Sequence, residues 1–185
     1  MKNDRKREAP AVWARTQGDE GMDDVKRLAR ALDIVASRCP HGLAAIVGEA
    51  PPPTYDDLVA AATWRPSAET GARSAESGEG PVPSTAERVM KITEPLEKAG
   101  WKAIAAAARE VREIYPQDWE AYRLHVIYID SPVQWRIEDD STLRRLAEKC
   151  RMDVRTLRRR RRQVPLQIAR SALYGAQQGL DLFGL

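Results

Sequence analysis

The sequence of 185 residues has no long apolar run, few cysteines and a single Phe. No stretch reaches the roughly 18 consecutive apolar residues that suggest a membrane-spanning helix. The two cysteines, Cys39 and Cys150, give no disulfide framework and are typical of a reducing compartment. The N-terminus is charged and lacks the apolar core of a secretion signal. We therefore expect a cytoplasmic protein that does not enter a membrane.

Residues that commonly carry catalysis are also sparse. His41 and His125 have no nucleophile or paired carboxylate at a telling spacing, and no phosphate-cradling glycine loop is present. Cys39 and His41 are two residues apart, but zinc needs about four ligands and the remaining Cys and His are far along the chain. The sequence therefore predicts neither an enzyme nor a metal or cofactor site.

Apolar residues recur at three- and four-residue steps through most of the chain, and β-branched alternation is scarce. Such spacing places the apolar side chains on one face of a helix. Helices are expected to open at Asp23 or Asp24, at Ser84 or Thr85, and at Asp118 after the break at Pro116. We therefore predict an all-α fold.

Composition divides the chain into five segments. Residues 1–21 form a flexible basic arm, and 22–64 form a small helical unit with few large apolar residues. Residues 65–84, rich in Pro, Gly and Ser, form a disordered linker. Residues 85–176 form a larger helical domain, followed by an apolar tail at 177–185. Because 22–64 offers only a marginal core, we expect it to dock on a partner or on a second copy in a homodimer.

Positive charge is concentrated in one part of the chain. The whole sequence carries a net charge of +3, yet residues 144–170 carry +9, so the remainder carries −6. Such a local excess indicates a polyanionic partner, with nucleic acid the first candidate.

The basic stretch falls within residues 141–163, which read as two short helices joined by a tight turn. Ser141 is a suitable cap for the first helix and Asp153 for the second. Met152 lies in the turn, and Leu157 is expected to point inward. One apolar face of the first helix is formed by Leu143, Leu146, Ala147 and Cys150. Two short helices of this kind, the second one basic, match a helix–turn–helix with a recognition helix.

The segment Leu143–Glu148 followed by Met152–Arg159 resembles region four of bacterial sigma factors and the helix–turn–helix of phage late-gene regulators. The usual turn glycine of that pattern is Arg151 here, and the usual third apolar residue falls near Arg160 or Arg161. The resemblance implies binding of double-stranded DNA through the second helix. The predicted DNA-binding residues are Arg155, Thr156, Arg158, Arg159, Arg160, Arg161 and Arg162.

Five consecutive arginines, 158–162, sweep every face of a helix. Arg161 follows Leu157 by four residues and therefore lies on the inward face, where an unpaired guanidinium is costly. We expect the helix to project from the body or to lay its arginine stems along the surface. Val164-Pro165 should then end or kink the helix.

The tail contains Leu180, Asp181, Leu182 and Phe183, which resemble bacterial sliding-clamp-binding peptides. That resemblance implies insertion of the Leu-Phe pair into an apolar pocket of the clamp. Gly179 occupies the position where those peptides carry Gln. The alternative is a tail that folds back onto the core.

The sequence thus predicts a sequence-specific DNA-binding transcription regulator of phage or mobile-element type, with RNA polymerase as the expected protein partner. One alternative is a replication- or packaging-associated DNA-binding factor tethered to the sliding clamp through its tail. Another is an interaction module whose basic helix docks on an acidic protein. Salt-dependent duplex binding separates the first two from the third.

Overall fold

The structure is a computed structural model that describes the backbone of residues 19–64, 83–127 and 140–182. Within these ranges, side chains are described except at 19–20, 140–142 and 176–182. The described chain is helical without strands, which confirms the all-α prediction. Its helices are α1 Asp19–Arg38, α2 Gly42–Val47, α3 Tyr55–Thr63, α4 Thr85–Ala99, α5 Trp101–Ile114, α6 Pro116–His125, α7 Asp140–Lys149 and α8 Val154–Leu182.

Local capping chemistry fixes two of the helix starts. The Ser84 hydroxyl accepts from the Glu87 amide at 3.2 Å, and the Glu87 carboxylate accepts from the Ser84 amide at 2.8 Å. Thr54 and Asp57 form the same reciprocal capping box at the start of α3. Each box satisfies amide groups that the first turn leaves unpaired. The predicted restart of helix at Ser84 or Thr85 is therefore confirmed.

Other helix starts differ from the prediction by a few residues. α1 begins at Asp19, so the end of the predicted 1–21 arm is helical. α6 begins at Pro116, because proline is well suited to the first helical position, and Asp118 lies in the first turn. α7 begins at Asp140, which puts Ser141 inside the helix and not at its cap. Residues 1–18 of the predicted arm and 65–82 of the predicted linker lie outside the described residues.

A large cluster of buried apolar side chains, here called the main core, draws on both sides of the 65–82 gap. α1 lies between α4 and α8 and contributes Leu28, Leu32 and Val35. α4 and α5 contribute residues such as Ile92 and Ile104. The helices of 22–64 therefore share a core with those of 85–176.

Polar contacts also tie α1 to the later helices. Lys98 Nζ lies 2.6 Å from Asp24 Oδ2, and Tyr174 Oη donates to the Gly21 carbonyl at 3.2 Å. The hydrogen bond to Asp24 raises the pKa of Lys98. These contacts join α1 to α4 and to α8.

α8 runs for 29 residues through Pro165, so the helix does not end at Val164-Pro165, which was one of the two predicted outcomes. Proline inside a helix removes one backbone hydrogen bond and costs about 3 kcal/mol when nothing compensates. Here Val164 and Pro165 are buried, as are Ile168 and Ala169 one turn later. Burial of this stretch in the main core offsets the lost hydrogen bond. Pro95, inside α4, is buried in the same way.

Within the part of the chain that the structure describes, each helix is too short or too polar to meet the requirement for a membrane span.

Candidate nucleic-acid interface

The predicted two-helix segment belongs to a three-helix unit, which we define as α6, α7 and the first three turns of α8. Its buried side chains form a second cluster, here called the small core. α7 supplies Leu143, Leu146 and Ala147, α8 supplies Leu157, and α6 supplies two further residues. The predicted inward face of α7 is therefore confirmed, with Cys150 half-buried at its end.

The turn after α7 closes with two backbone hydrogen bonds. The Met152 amide donates to the Ala147 carbonyl at 2.9 Å, and the Arg151 amide donates to the Glu148 carbonyl at 3.0 Å. Together these bonds make a Schellman motif, which places the residue after the C-cap in the left-handed region. That residue is Arg151, with φ 53°. A side chain thus occupies the position where glycine is most favourable.

Asp153 caps α8, as the sequence predicts. Its carboxylate accepts from the Thr156 amide at 2.8 Å and from the Thr156 hydroxyl at 2.6 Å. The side-chain bond from Thr156, followed by the backbone bond, lowers the pKa of Asp153. The Thr156 hydroxyl donates to Asp153, so only its acceptor lone pairs remain for a ligand.

Four predicted arginines lie on one face of α8. These are exposed at three- and four-residue steps, and we call them the outer row: Arg155, Arg158, Arg159 and Arg162. At 100° per residue, this spacing keeps all four within an arc of about 100°. Leu157 and Val164 are fully buried on the opposite side of the helix. The outer row therefore forms a continuous cationic strip along the first turns of α8.

The other two predicted arginines point toward the body of the protein, and we call them the inner pair. Arg160 Nη1 forms a short ion pair with Asp118 Oδ1 and lies 3.4 Å from Gln117 Oε1. Arg161 Nη2 lies 3.9 Å from Asp33 Oδ2. The inner pair is thus anchored to α6 and to α1. The expected projection of the helix beyond the body is not found, because carboxylates of other helices meet the inward arginines.

Additional exposed cations lie on α7 and in the turn before α8. Arg144 and Arg145 lie on the outward side of α7, and Lys149 and Arg151 lie at its end and in the turn. The sequence pattern could have predicted the exposure of Arg144 and Arg145, because they lie between the apolar positions 143, 146 and 147 of the inward face. Glu148 is the exposed acidic residue among them. Three-helix packing therefore gathers more positive charge than the arginine run alone.

The predicted partner-binding residues lie at the end of α8. Leu180, Asp181 and Leu182 have helical backbone, while Phe183 lies outside the described residues. Side chains of this stretch are likewise beyond what the structure describes. The predicted tail at 177–185 therefore begins inside a helix.

The Cys39–His41 spacing is explained by a bend between α1 and α2. His41 adopts φ 55°, and a side chain at Gly42 would lie 2.0 Å from the Val35 carbonyl oxygen. Cys39 is buried, and that burial, helped by Asp57, raises its pKa to about 11. A thiol with that pKa is a poor metal ligand or nucleophile at neutral pH. No group of three or more potential ligands is found among the residues described.

No family model, curated protein or solved structure matches the chain.

Proposed function

We propose that this protein binds double-stranded DNA through the first turns of α8, as a sequence-specific transcription regulator of phage or mobile-element type. In this proposal α7, the turn and α8 act as a helix–turn–helix, and α6 completes its core. The observation that carries the proposal is the outer row: four exposed arginines on one face, with the opposite face fixed in two cores.

The dimensions of this face suit the major groove. At 1.5 Å per residue, Arg155 and Arg162 are about 10 Å apart along the helix axis. The major groove of B-DNA is about 12 Å wide and admits a single helix. A strip of this length and charge can therefore lie in the groove while the small core remains outside it.

Position along α8 suggests that the arginines of the outer row contact different parts of the DNA. The N-terminal residues of a recognition helix reach base edges, so Arg155 and Arg158 are assigned to guanine-type acceptors. Arg159 and Arg162 lie further along and are assigned to phosphates. Base contacts distinguish sequences, whereas phosphate contacts add affinity for any duplex and release counterions. Thr156 lies between Arg155 and Arg158 in the sequence, and its hydroxyl oxygen can accept a hydrogen bond from a base amino group.

The test begins by selecting a preferred duplex from a random 20-base-pair pool with the full-length protein. Affinities of each variant are then measured by fluorescence anisotropy on the selected duplex and on a scrambled one, across a range of salt concentrations. Arg158→Ala should weaken binding to the selected duplex by about 1–3 kcal/mol and change binding to the scrambled duplex little. Arg162→Ala should weaken both and lower the salt slope by about one.

Arg170→Ala is the matched control, because Arg170 is exposed on the same helix two turns beyond Arg162. It should leave affinity and slope nearly unchanged. Equal effects of every arginine substitution on both duplexes would contradict sequence-specific recognition and indicate that the arginines bind DNA only through non-specific electrostatic attraction. Absence of salt-dependent duplex binding would remove the DNA proposal and favour an acidic protein partner.

The regulatory role needs a separate measurement. Mapping bound DNA across the host or phage genome should give sites near promoters, and a pull-down should recover RNA polymerase. Sites near replication origins or packaging signals, together with capture of the sliding clamp, would favour the replication- or packaging-associated role instead.

A further inference from the structure

The inner pair lies at the boundary between the two cores of the protein. Leu157, in the small core, is one helical turn before Arg161, and Val164, in the main core, is one turn after Arg160. Both apolar residues are fully buried. The two inner arginines therefore lie on α8 between its contact with the small core, at Leu157, and its contact with the main core, at Val164.

The partners of the inner pair come from two other helices. Asp118 lies in the first turn of α6, and its side chain is only 15% exposed; the Arg160 side chain is 28% exposed. Asp33 lies on α1, and Arg161 beside it is 24% exposed. Ion pairs that are partly shielded from water hold their geometry better than pairs on an open surface. Each pair thus fixes the angle of α8 against a different helix.

A guanidinium committed to a shielded carboxylate is unsuited to neutralise phosphate. If Arg160 turned outward to DNA, the Asp118 carboxylate would be left partly buried with its charge uncompensated, which is unfavourable. Moreover, at 100° per residue Arg160 and Arg161 are each turned well away from the middle of the outer row. The same pairing and orientation set them apart from Arg159 and Arg162, their immediate neighbours.

We propose that Arg160 and Arg161 are positioning residues: they hold α8 at a fixed angle to α6 and α1, and only the outer row contacts DNA. This inference rests on the proposed DNA-binding function and specifies which half of the arginine run serves it. The consecutive arginines 158–162 therefore form two sets with different partners, divided by helical phase.

The experiment compares Arg160→Gln with Arg159→Gln, an adjacent substitution of the same kind on the outer row. Affinity is measured against salt for the selected and the scrambled 20-base-pair duplexes. Arg159→Gln should lower the salt slope by about one. Arg160→Gln should leave the slope unchanged while reducing the ratio of selected to scrambled affinity at least threefold, because α8 is no longer held at its angle.

Three further variants separate positioning from general loss of stability. Asp118→Asn should reduce the affinity ratio as Arg160→Gln does, although it removes a negative charge and not a positive one. The double variant should lower the affinity ratio no further than either single variant, since each single substitution already breaks the same Arg160–Asp118 ion pair. Arg160→Lys, which keeps a charge facing Asp118, should recover most of the ratio. A merely structural role would shift the melting temperature without changing this ratio.

The inference is overturned if Arg160→Gln lowers the salt slope as much as Arg159→Gln, because Arg160 would then contact phosphate. If the wild type fails to bind duplex DNA, the proposed function fails and the thermal unfolding midpoints decide the positioning claim. A non-additive effect of Arg160→Gln and Asp118→Asn on the midpoint supports the anchor, and an additive effect contradicts it.

Discussion

The main core and the small core differ in how many parts of the chain build them. Every described helix except α7 contributes to the main core, whereas six buried residues of α6, α7 and α8 make the small core. Six side chains bury too little apolar surface to offset the entropy of ordering three helices. The three-helix unit therefore depends on α6 and α8, which are shared with the main core. This dependence implies that the candidate interface is held by the whole protein.

The largest expected effect comes from the main core. Leu32, on α1, is fully buried, and Leu32→Ala should lower the free energy of unfolding by about 3–5 kcal/mol because it leaves a cavity at the centre of the packing. Urea unfolding followed by circular dichroism measures this loss. Met90→Ala, at a side chain that is 61% exposed, is the control and should be nearly neutral.

Urea unfolding of a fragment also tests whether the helices on the two sides of the 65–82 gap fold independently. A fragment beginning at residue 85 loses α1, which lies between α4 and α8. It should therefore be unfolded or strongly destabilised. A stable fragment that still binds duplex DNA would contradict the shared core and restore the separate N-terminal unit.

The small core should respond more locally. Leu146→Ala should cost about 2–3 kcal/mol, since a buried leucine is lost from a small cluster that can relax partly into the space. Hydrogen exchange should show loss of protection in α7 and in the first turns of α8, while α1 and α4 keep theirs. Uniform loss across all helices would mean that the two cores unfold as one.

The turn of the three-helix unit offers a stabilising change. Arg151 has φ 53°, and relief of that strain is worth about 1–2 kcal/mol, reduced by the greater chain entropy of glycine. Arg151→Gly should therefore stabilise the protein by up to about 1 kcal/mol. Arg145→Gly, inside α7 and also exposed, is the matched control and should destabilise it by about the same amount. The two melting temperatures should move in opposite directions.

The smallest effect concerns the cap of α8 and its pH dependence. Hydrogen bonds from Thr156 lower the pKa of Asp153 below its ordinary value of 3.8. The cap therefore stabilises the folded state above pH 3.8, and this stabilisation is lost as pH falls through the lower folded-state pKa. Asp153→Asn should keep the cap but show a smaller loss of stability between neutral pH and acid than the wild type. Equal losses in both proteins would contradict the proposed role of the carboxylate.

Local features of the fold could be predicted from the sequence. The helical class, the inward face of α7 and the cap at Asp153 each depend on residues within a few positions of one another. Features that depend on contacts between residues far apart in the chain could not be predicted from the sequence. The helix does not end at Pro165, because the stretch around it is buried by helices from elsewhere in the chain.

The candidate interface shows the same limit. Spacing alone places Arg161 on the inward side of α8, and the structure agrees. Its partner Asp33 and the Arg160 partner Asp118 belong to helices whose packing no local pattern reveals. The sequence therefore predicts DNA contacts for all five consecutive arginines, whereas their helical phase and carboxylate partners divide them into two sets.

Arginine-selective modification with phenylglyoxal, read by mass spectrometry with and without duplex DNA, tests the central claim most directly. In the free protein, the outer row should react readily, and Arg160 and Arg161 slowly, because their guanidinium groups are shielded and paired. Added duplex should protect Arg155, Arg158, Arg159 and Arg162 and leave the exposed Arg27 and Arg30 of α1 as reactive as before. Protection of the α1 arginines without protection of the outer row would contradict the account.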